Sequence, residues 1–367
     1  MARLTRVQQQ ARTRAAVLAA ARREFVEYGY GAAKIDRIAE RAELTRGAVY
    51  SNFPGKRALY LAVLVEMVER AWPSEAAARP DSVPDALGRF ARVWLERLPL
   101  VDDTAAGGRL QLRSLVGVVD DGPARAVLTQ IARLEALLLA MGLEECEPGA
   151  ARGRRVRLAE LVLTLLGGSG LLAELTPGFG DPFDRTRACE HLAGLDLGDV
   201  WAPPHLPYVE PGEPCRDGWD PPSGLVDRLT GGEVDLGAEG LVTVLGAGRL
   251  SAAEEAVRSV PPGEQVTVAV VTAAPAETGG LVRLRVSDLA GCLRRVFPPE
   301  AWRGLRLVVD DEALVATALG LTAVDDETEA AVRVRGGAIV ARASGRSAGY
   351  ATTLTRVDGG RSREATP

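Results

Sequence analysis

Residues 44–56 read LTRGAVYSNFPGK. A short segment carrying Gly47 and Tyr50 between the cations Arg46 and Lys56 has the make-up of a helix pressed on DNA, where cations and hydroxyls meet phosphate oxygens. The whole chain, however, is acidic, with a formal charge of −5. That charge is unevenly spread: residues 1–72 hold 13 Lys and Arg against 7 Asp and Glu, a net of +6, which leaves −11 on the rest. Salt screens charges beyond about 8–10 Å, so a basic head keeps its phosphate attraction whatever the body carries. Net acidity therefore does not exclude a DNA reader.

Other residue types with chemical potential are scarce. The four cysteines (Cys146, Cys189, Cys215, Cys292) include no Cys-x-x-Cys, and there are only two histidines, His191 and His205. Neither a disulfide framework nor a metal site has the spacing it needs, so isolated thiols in a reducing compartment are expected. The stretch GAGRLS (246–251) is Gly-rich between a strand and a helix, but lacks the third glycine of a dinucleotide fingerprint. No acidic residue ends the following strand VTVAVVT, and no GK[ST] marks a P-loop. The expectation is no catalytic residue, no metal and no cofactor.

The elements that must position the head follow from apolar spacing. Residues 12–29 predict a helix through Val17, Leu18, Ala21, Phe25 and Tyr28, ended by Gly29 and Gly31. Ile35, Ile38, Ala39 and Ala42 predict a second helix at i, i+3, i+4, i+7. Thr45 caps a third, which Pro54 stops. A fourth covers about 56–72, apolar nearly all round in ALYLAVLV and so requiring cover on two sides. Two short helices across a tight turn behind a longer one make a helix-turn-helix.

Beyond the head, Leu87, Phe90, Ala91, Trp94 and Leu98 predict an amphipathic helix over 85–99, with further helices at about 109–119, 123–142 and 151–175. The last two carry apolar residues on more than one face and need a large core or a partner subunit. LAELVLTLLGGSGLLAEL, interrupted by Glu160 and Glu174, reads as a buried helix, since a membrane span needs about 18–20 apolar residues. Seven prolines between 203 and 222 predict a linker over 199–222. After it, LVTVL (241–245), VTVAVVT (266–272), LRLVV (305–309) and AVRVR with AIVARA around Gly336-Gly337 predict strands alternating with helices near 250–259, 286–296 and 311–319. The Gly-Gly pair predicts a hairpin that adds an antiparallel edge. The fold class is therefore multidomain: all-α at the N-terminal side, α/β after the linker.

The ordered combination Ile38-Ala39, Gly47, Tyr50, Phe53, Lys56 and Leu59 in IAERAELTRGAVYSNFPGKRALY resembles the DNA-binding head of TetR-type bacterial regulators. The resemblance spans 15–72, under a fifth of the chain. It implies a helix-turn-helix domain over 12–72, a helical effector-binding and dimerisation domain over 80–198, and a third helix that enters the major groove. It places Thr45, Arg46, Gly47, Tyr50, Ser51 and Asn52 on DNA, with Tyr50 and Lys56 on phosphates. These roles suit the residues: Arg pairs bidentately with guanine, Asn can pair with adenine, Gly lets a backbone approach closely, and Lys56 beside a helix N-terminus attracts anions. The sequence departs from the family in two places. Glu43 stands where the turn glycine is usual, and Ala33-Lys34 where a Thr or Ser commonly opens the second helix; Lys34 compensates with a phosphate contact. Phe90, Trp94 and Leu98 are candidates for the wall of an effector pocket.

Such regulators normally end near residue 200, and residues 219–356 resemble a thioredoxin-like fold in the order β-α-β-α-β-α-β-β. Cys-x-x-Cys at the first helix and the Pro before the penultimate strand are both missing. Cys292 has no partner cysteine nearby and reads as a buried thiol. The expectation is a non-enzymatic, ligand-responsive repressor of bacterial, cytoplasmic type, with no signal peptide and no membrane. Its partners would be a double-stranded DNA operator, a small-molecule effector and a second copy of itself. The alternatives are a thioredoxin-like oxidoreductase or peroxidase tethered to DNA, and a DNA-bound adaptor for another protein.

Overall fold

The computed structural model describes residues 5–72, 77–97, 115, 117–147, 153–176, 178–198, 201 and 203–355. The chain divides into two compact units, Met1–Asp199 with Ala274–Ala301, and Val200–Ala273 with Trp302–Pro367.

The first unit is helical. Helix α1 (Arg6–Ala32) starts at a Thr5–Gln8 capping box, six residues ahead of the expected start, because Thr5 and Gln8 satisfy each other's free N–H groups. It breaks where the sequence places its end, at Gly29 (φ 71°). Helices α2 (Ile35–Arg41), α3 (Arg46–Asn52) and α4 (Lys56–Arg70) follow. A helix of two turns is unstable alone, and here Ile38, Val49 and Phe53 are buried and hold α2 and α3 in place. Phe25 of α1 meets Tyr60 of α4 edge-on with ring centroids 4.8 Å apart. Next come α5 (Val83–Leu95), α6 (Gly122–Glu145), α7 (Val156–Leu175) and α8 (Pro182–Leu192). Most of the helix expected at 109–119 lies outside the described residues.

Helix α7 is not the buried helix the sequence suggests. Leu161, Leu172 and Leu175 are exposed, Gly168 is too, and Leu165 is half-buried. These positions fall at i, i+4, i+7, i+11 and i+14, one stripe along the helix. By length and composition alone, Gly122–Glu145 and Val156–Ala173 could each cross a membrane; the former is 61% buried within the protein and the latter 33%.

The second unit holds a six-stranded mixed sheet in the order β1-β6-β5-β2-β3-β4. Its strands are β1 (Glu213–Gly218), β2 (Gly240–Gly246), β3 (Gln265–Val271), β4 (Leu305–Val309), β5 (Glu329–Arg335) and β6 (Ala338–Ser344). Strands β2, β3 and β4 are parallel; β5, β6 and β1 add on antiparallel. The buried central strands are the continuous apolar runs of the sequence, with Val242, Val244, Ala269, Val308 and Val332 in one core cluster. Gly336 and Gly337 (φ 55° and 72°) turn β5 into β6, both in the region a tight hairpin needs. The edge strand is nevertheless β1, which lies inside the Pro-rich stretch read as a linker. It pairs with β6, and an edge strand tolerates Pro214 because only one of its sides donates to the ladder.

Helix α9 (Ala252–Ser259) follows β2 and α10 (Gly280–Arg294) follows β3, while α11 (Leu314–Ala318) follows β4 and α12 (Ala348–Leu354) closes the described chain. Of these, α10 belongs to the helical unit. Its glycines explain the fit: a Cβ on Gly280 would touch Leu61 at 3.5 Å, and one on Gly291 would press Trp72 at 3.1 Å. The indole Nε1 of Trp72 donates to the Ser287 carbonyl (2.9 Å), and the Ser287 hydroxyl bonds Glu69 (3.1 Å). A sequence reading of 219–356 as one domain does not anticipate this, because apolar periodicity says that a helix is covered but not by what.

Candidate nucleic-acid interface

The head is organised by one buried acid. Val17, Ala20, Ala21, Glu24 and Phe25 form the buried stripe of α1, and Glu24 has no exposed surface. Its carboxylate accepts the Lys34 N–H (3.0 Å) and the Arg37 Nε–H (2.6 Å), and lies 3.5 Å from Arg41. Burial pushes its pKa up, but the hydrogen bonds from Arg37 and Lys34 and the two guanidinium charges outweigh that and hold it below the usual carboxylate range. Lys34 opens α2 with no side-chain cap; Glu24 reaches across from α1 and fixes the start of α2 by holding the Lys34 N–H, not the first-turn N–H groups that a Thr or Ser would accept. The signal in the sequence is a carboxylate on an otherwise apolar stripe.

The turn between α2 and α3 runs through Glu43 at φ 56°. This left-handed conformation costs a residue with a Cβ roughly 1–2 kcal/mol, which is why a glycine is usual there. Glu43→Gly is expected to stabilise the protein by about 0.5 kcal/mol in urea unfolding, since glycine's greater unfolded-state entropy offsets part of the relief. Destabilisation would show that the Glu43 side chain makes a compensating contact.

Thr45 caps α3 by accepting the Ala48 N–H at 3.2 Å. Val49 is buried, whereas Thr45, Arg46, Gly47, Tyr50 and Ser51 are exposed. Arg46 pairs loosely with Asp36 (3.3 Å), and its guanidinium lies 5.5 Å from the Tyr50 ring centroid, so the longest cation on this face is held over a phenol. A Cβ on Gly47 would meet only the Thr45 hydroxyl, at 3.8 Å, so nothing within the chain demands glycine there. Ser51 and Asn52 bend back, donating to the Ala48 carbonyl at 2.9 and 2.8 Å, and Asn52 is half-buried. Lys34 is exposed beside α2.

Lys56 sits apart from this face. Its ammonium donates to the Gly31 carbonyl (3.0 Å) and lies 4.9 Å from the Tyr30 ring centroid, and burial lowers its pKa. Arg14, which the sequence reading passed over, donates to the Asn52 carbonyl (3.3 Å) and stacks 4.3 Å over Phe53, tying the end of α3 to α1.

Of the effector-pocket candidates, Trp94 lines a cleft of about 490 Å³ in the helical unit. Phe90 is fully buried behind it, ring centroid 5.7 Å from Trp94, and does not line the cleft. Leu98 lies outside the described residues. The cleft also takes Trp72 from just past α4, Leu166 from α7 and Cys292 from α10.

The other motifs resolve structurally. In GAGRLS, the N–H groups of Gly246 and Gly248 donate to Thr328 and Asp326 (2.7 and 2.8 Å), and a Cβ on either would collide with the Asp326 backbone. The glycines thus serve a close backbone approach, and Arg249 pairs with buried Glu329 at 2.9 Å. All four cysteines are unpaired. Burial pushes the Cys146 and Cys189 thiols up to about 11 and raises Cys292 as well. Among the described residues no cluster of three metal-ligating side chains occurs.

Comparison with known proteins bears on this head. The chain is 36% identical over 84 residues to the HTH-type transcriptional regulator SrpR of Pseudomonas putida, covering 19% of this chain and 39% of that protein. It is 36% identical over 84 residues to the uncharacterised HTH-type transcriptional regulator TtgW, also of Pseudomonas putida, covering 19% of this chain and 63% of that protein. The chain thus spans less than two thirds of either curated relative. Among solved structures, NalD, the secondary repressor of the MexAB-OprM multidrug efflux pump in Pseudomonas aeruginosa, is 21% identical with a TM-score of 0.34, over 52% of this chain and 99% of that one. Residues 17–63 match the bacterial regulatory proteins of the tetR family. That span takes in α2, the turn and α3 whole, and the chain therefore carries the DNA-binding head of the tetR family.

Proposed function

We propose that this chain is a sequence-specific DNA-binding transcriptional regulator, acting as a homodimeric, ligand-responsive repressor on a pseudo-palindromic operator. The observation that carries the reading is the outer face of α3. Thr45, Arg46, Gly47, Tyr50 and Ser51 are exposed on a short helix that buried Val49 pins to the head. Such a face, on a unit with a net charge of +6 over residues 1–72, suits base edges flanked by phosphates. Lys34, Asn52 and Lys56 are assigned to the same interface on the family pattern, with Lys56 requiring release from Gly31 to reach a phosphate. Fluorescence anisotropy of the full chain on DNA upstream of its own gene, at two salt concentrations, tests the reading; failure there and in random-sequence selection would refute it.

Arg46→Ala is expected to cost about 1–3 kcal/mol on the preferred site and to relax base preference at one position. Equal losses on every sequence would remove Arg46 from the base contacts.

Homodimerisation is supported by the α7 stripe, whose Leu172 and Leu175 are 40% and 70% exposed, and by Phe183 of α8 at 76%. Large apolar side chains left this exposed suit an association surface. Two heads would then reach half-sites about 34–36 Å apart. Leu172→Glu is expected to weaken the dimer by about 2 kcal/mol, read by sedimentation equilibrium; an unchanged dimer would place the interface elsewhere. Ligand response is assigned to the cleft beside Trp94: an effector that binds better to the wrong head spacing releases DNA.

The α/β unit is read as a thioredoxin-like fold without redox chemistry. What supports it is the sheet order β4-β3-β2-β5-β6, parallel on one side of β2 and antiparallel on the other.

A further inference from the structure

The cleft in the helical unit differs from a simple apolar pocket in where its polar groups come from. Leu64 and Val68 of α4, Trp72 just past it, and Leu166 and Leu171 of α7 give it an apolar body. Facing them, α10 contributes Arg285, Asp288 and Cys292. Arg97, just past α5, joins these: it pairs with Asp288 (3.0 Å), donates to the Cys292 sulfur (2.8 Å) and stacks 4.2 Å from the Trp94 ring centroid.

Among the described residues the charges on this wall are balanced. Those lining the cleft are Glu96, Arg97, Arg285, Asp288 and Arg295. Arg97 pairs with Asp288, Arg295 with Glu96 (2.7 Å), and Arg285 with the buried Glu135 beneath it (2.7 Å). An ionised ligand would either remain uncompensated in a partly desolvated site or have to break a pair, and both are costly. A neutral ligand meets neither cost and gains the burial of its apolar surface.

We propose that α10, a helix from beyond the linker, supplies the polar wall of this ligand site, and that the site selects neutral, largely apolar small molecules. The proposal rests on the ligand-responsive reading given above and adds the ligand's class and the residues that set it. Because α10 also lies against α4, which begins at the reading head, the ligand would bear on the helix that carries α3.

Two fluorescent probes of one shape test it on the full-length protein: N-phenyl-1-naphthylamine, which is uncharged, and 8-anilinonaphthalene-1-sulfonate, which carries one negative charge. The uncharged dye is expected to bind at least about tenfold more tightly. Asp288→Asn leaves Arg97 without its carboxylate and should shift the ratio about tenfold toward the sulfonate; Arg97→Gln should shift it the other way. Opposite shifts from two variants of one pair cannot come from loss of folding. Gly167→Phe, at a cleft position where a Cβ meets nothing within 4 Å, should abolish binding of both dyes. If neither dye binds the wild type, the ligand-responsive reading fails and this proposal with it. If the uncharged dye binds but the ratio ignores Asp288→Asn and Arg97→Gln, the ligand site stands and the role of α10 is overturned. Undiminished binding to Gly167→Phe would place the dye outside the cleft and also overturn the proposal.

Discussion

A fragment ending at residue 200 is expected to lose cooperative unfolding, although regulators of this type normally end there. The helical unit includes Ala274–Ala301, and the fragment lacks it. Glu135 is 3% exposed, and its partner Arg285 comes from α10. Desolvation already pushes the Glu135 carboxyl above its usual range, with Arg285 opposing it. Removing one member of a buried pair costs about 3–5 kcal/mol. Phe297, 1% exposed, lies against Gly142 of α6, where even a Cβ would sit 3.0 Å from the ring. Loss of such a ring costs about 3–5 kcal/mol more. Together these approach the whole stability of a typical domain, about 5–15 kcal/mol. Circular dichroism with urea titration of fragment and full chain checks this; a sharp transition in the fragment with native near-ultraviolet signal would show that α10 is an accessory to the helical unit.

Glu24→Gln is expected to damage the head's stability and its DNA binding together. It exchanges a charge for an amide beneath Arg37 and Arg41, whose side chains are 31% and 30% exposed. A fully buried pair would cost about 3–5 kcal/mol to break; partial solvent screening of the two guanidiniums reduces this to about 2 kcal/mol. The amide keeps one oxygen for the Lys34 N–H and Arg37, but an NH2 replaces the oxygen that faces Arg41, so the start of α2 loosens and DNA binding should fall along with stability. The sign of the pH dependence follows from linkage. A carboxyl held below its ordinary value of 4.5 contributes stability that is complete above that value and is lost as pH falls through the lower folded-state value. The wild type should therefore lose stability below about pH 4.5 more steeply than Glu24→Gln. Parallel pH–stability curves for the two would mean that Glu24 is not the head's acid-sensitive group.

The amino-acid sequence by itself determined the elements with strong periodicity and punctuation. The α2–turn–α3 unit was legible because Ile38, Val49 and Phe53 are spaced to be buried while Arg46, Gly47 and Tyr50 are spaced to be exposed. The departure at Glu43 was equally legible, since a turn that needs positive φ needs it whatever residue stands there. The central strands followed from continuous apolar runs, and the β5–β6 hairpin from Gly336-Gly337. Only the tertiary structure decided which surfaces meet. It set Glu24 on the Lys34 N–H at the start of α2, turned Lys56 inward onto Gly31, and left Leu161, Leu172 and Leu175 of α7 exposed. It drew β1 out of a Pro-rich stretch and seated α10 against α4. Periodicity encodes that a face must be covered, because apolar surface leaves water whatever covers it. The identity of the cover depends on shape and charge matches between residues far apart in the chain, such as Gly291 with Trp72 and Arg285 with Glu135, and no local pattern records those.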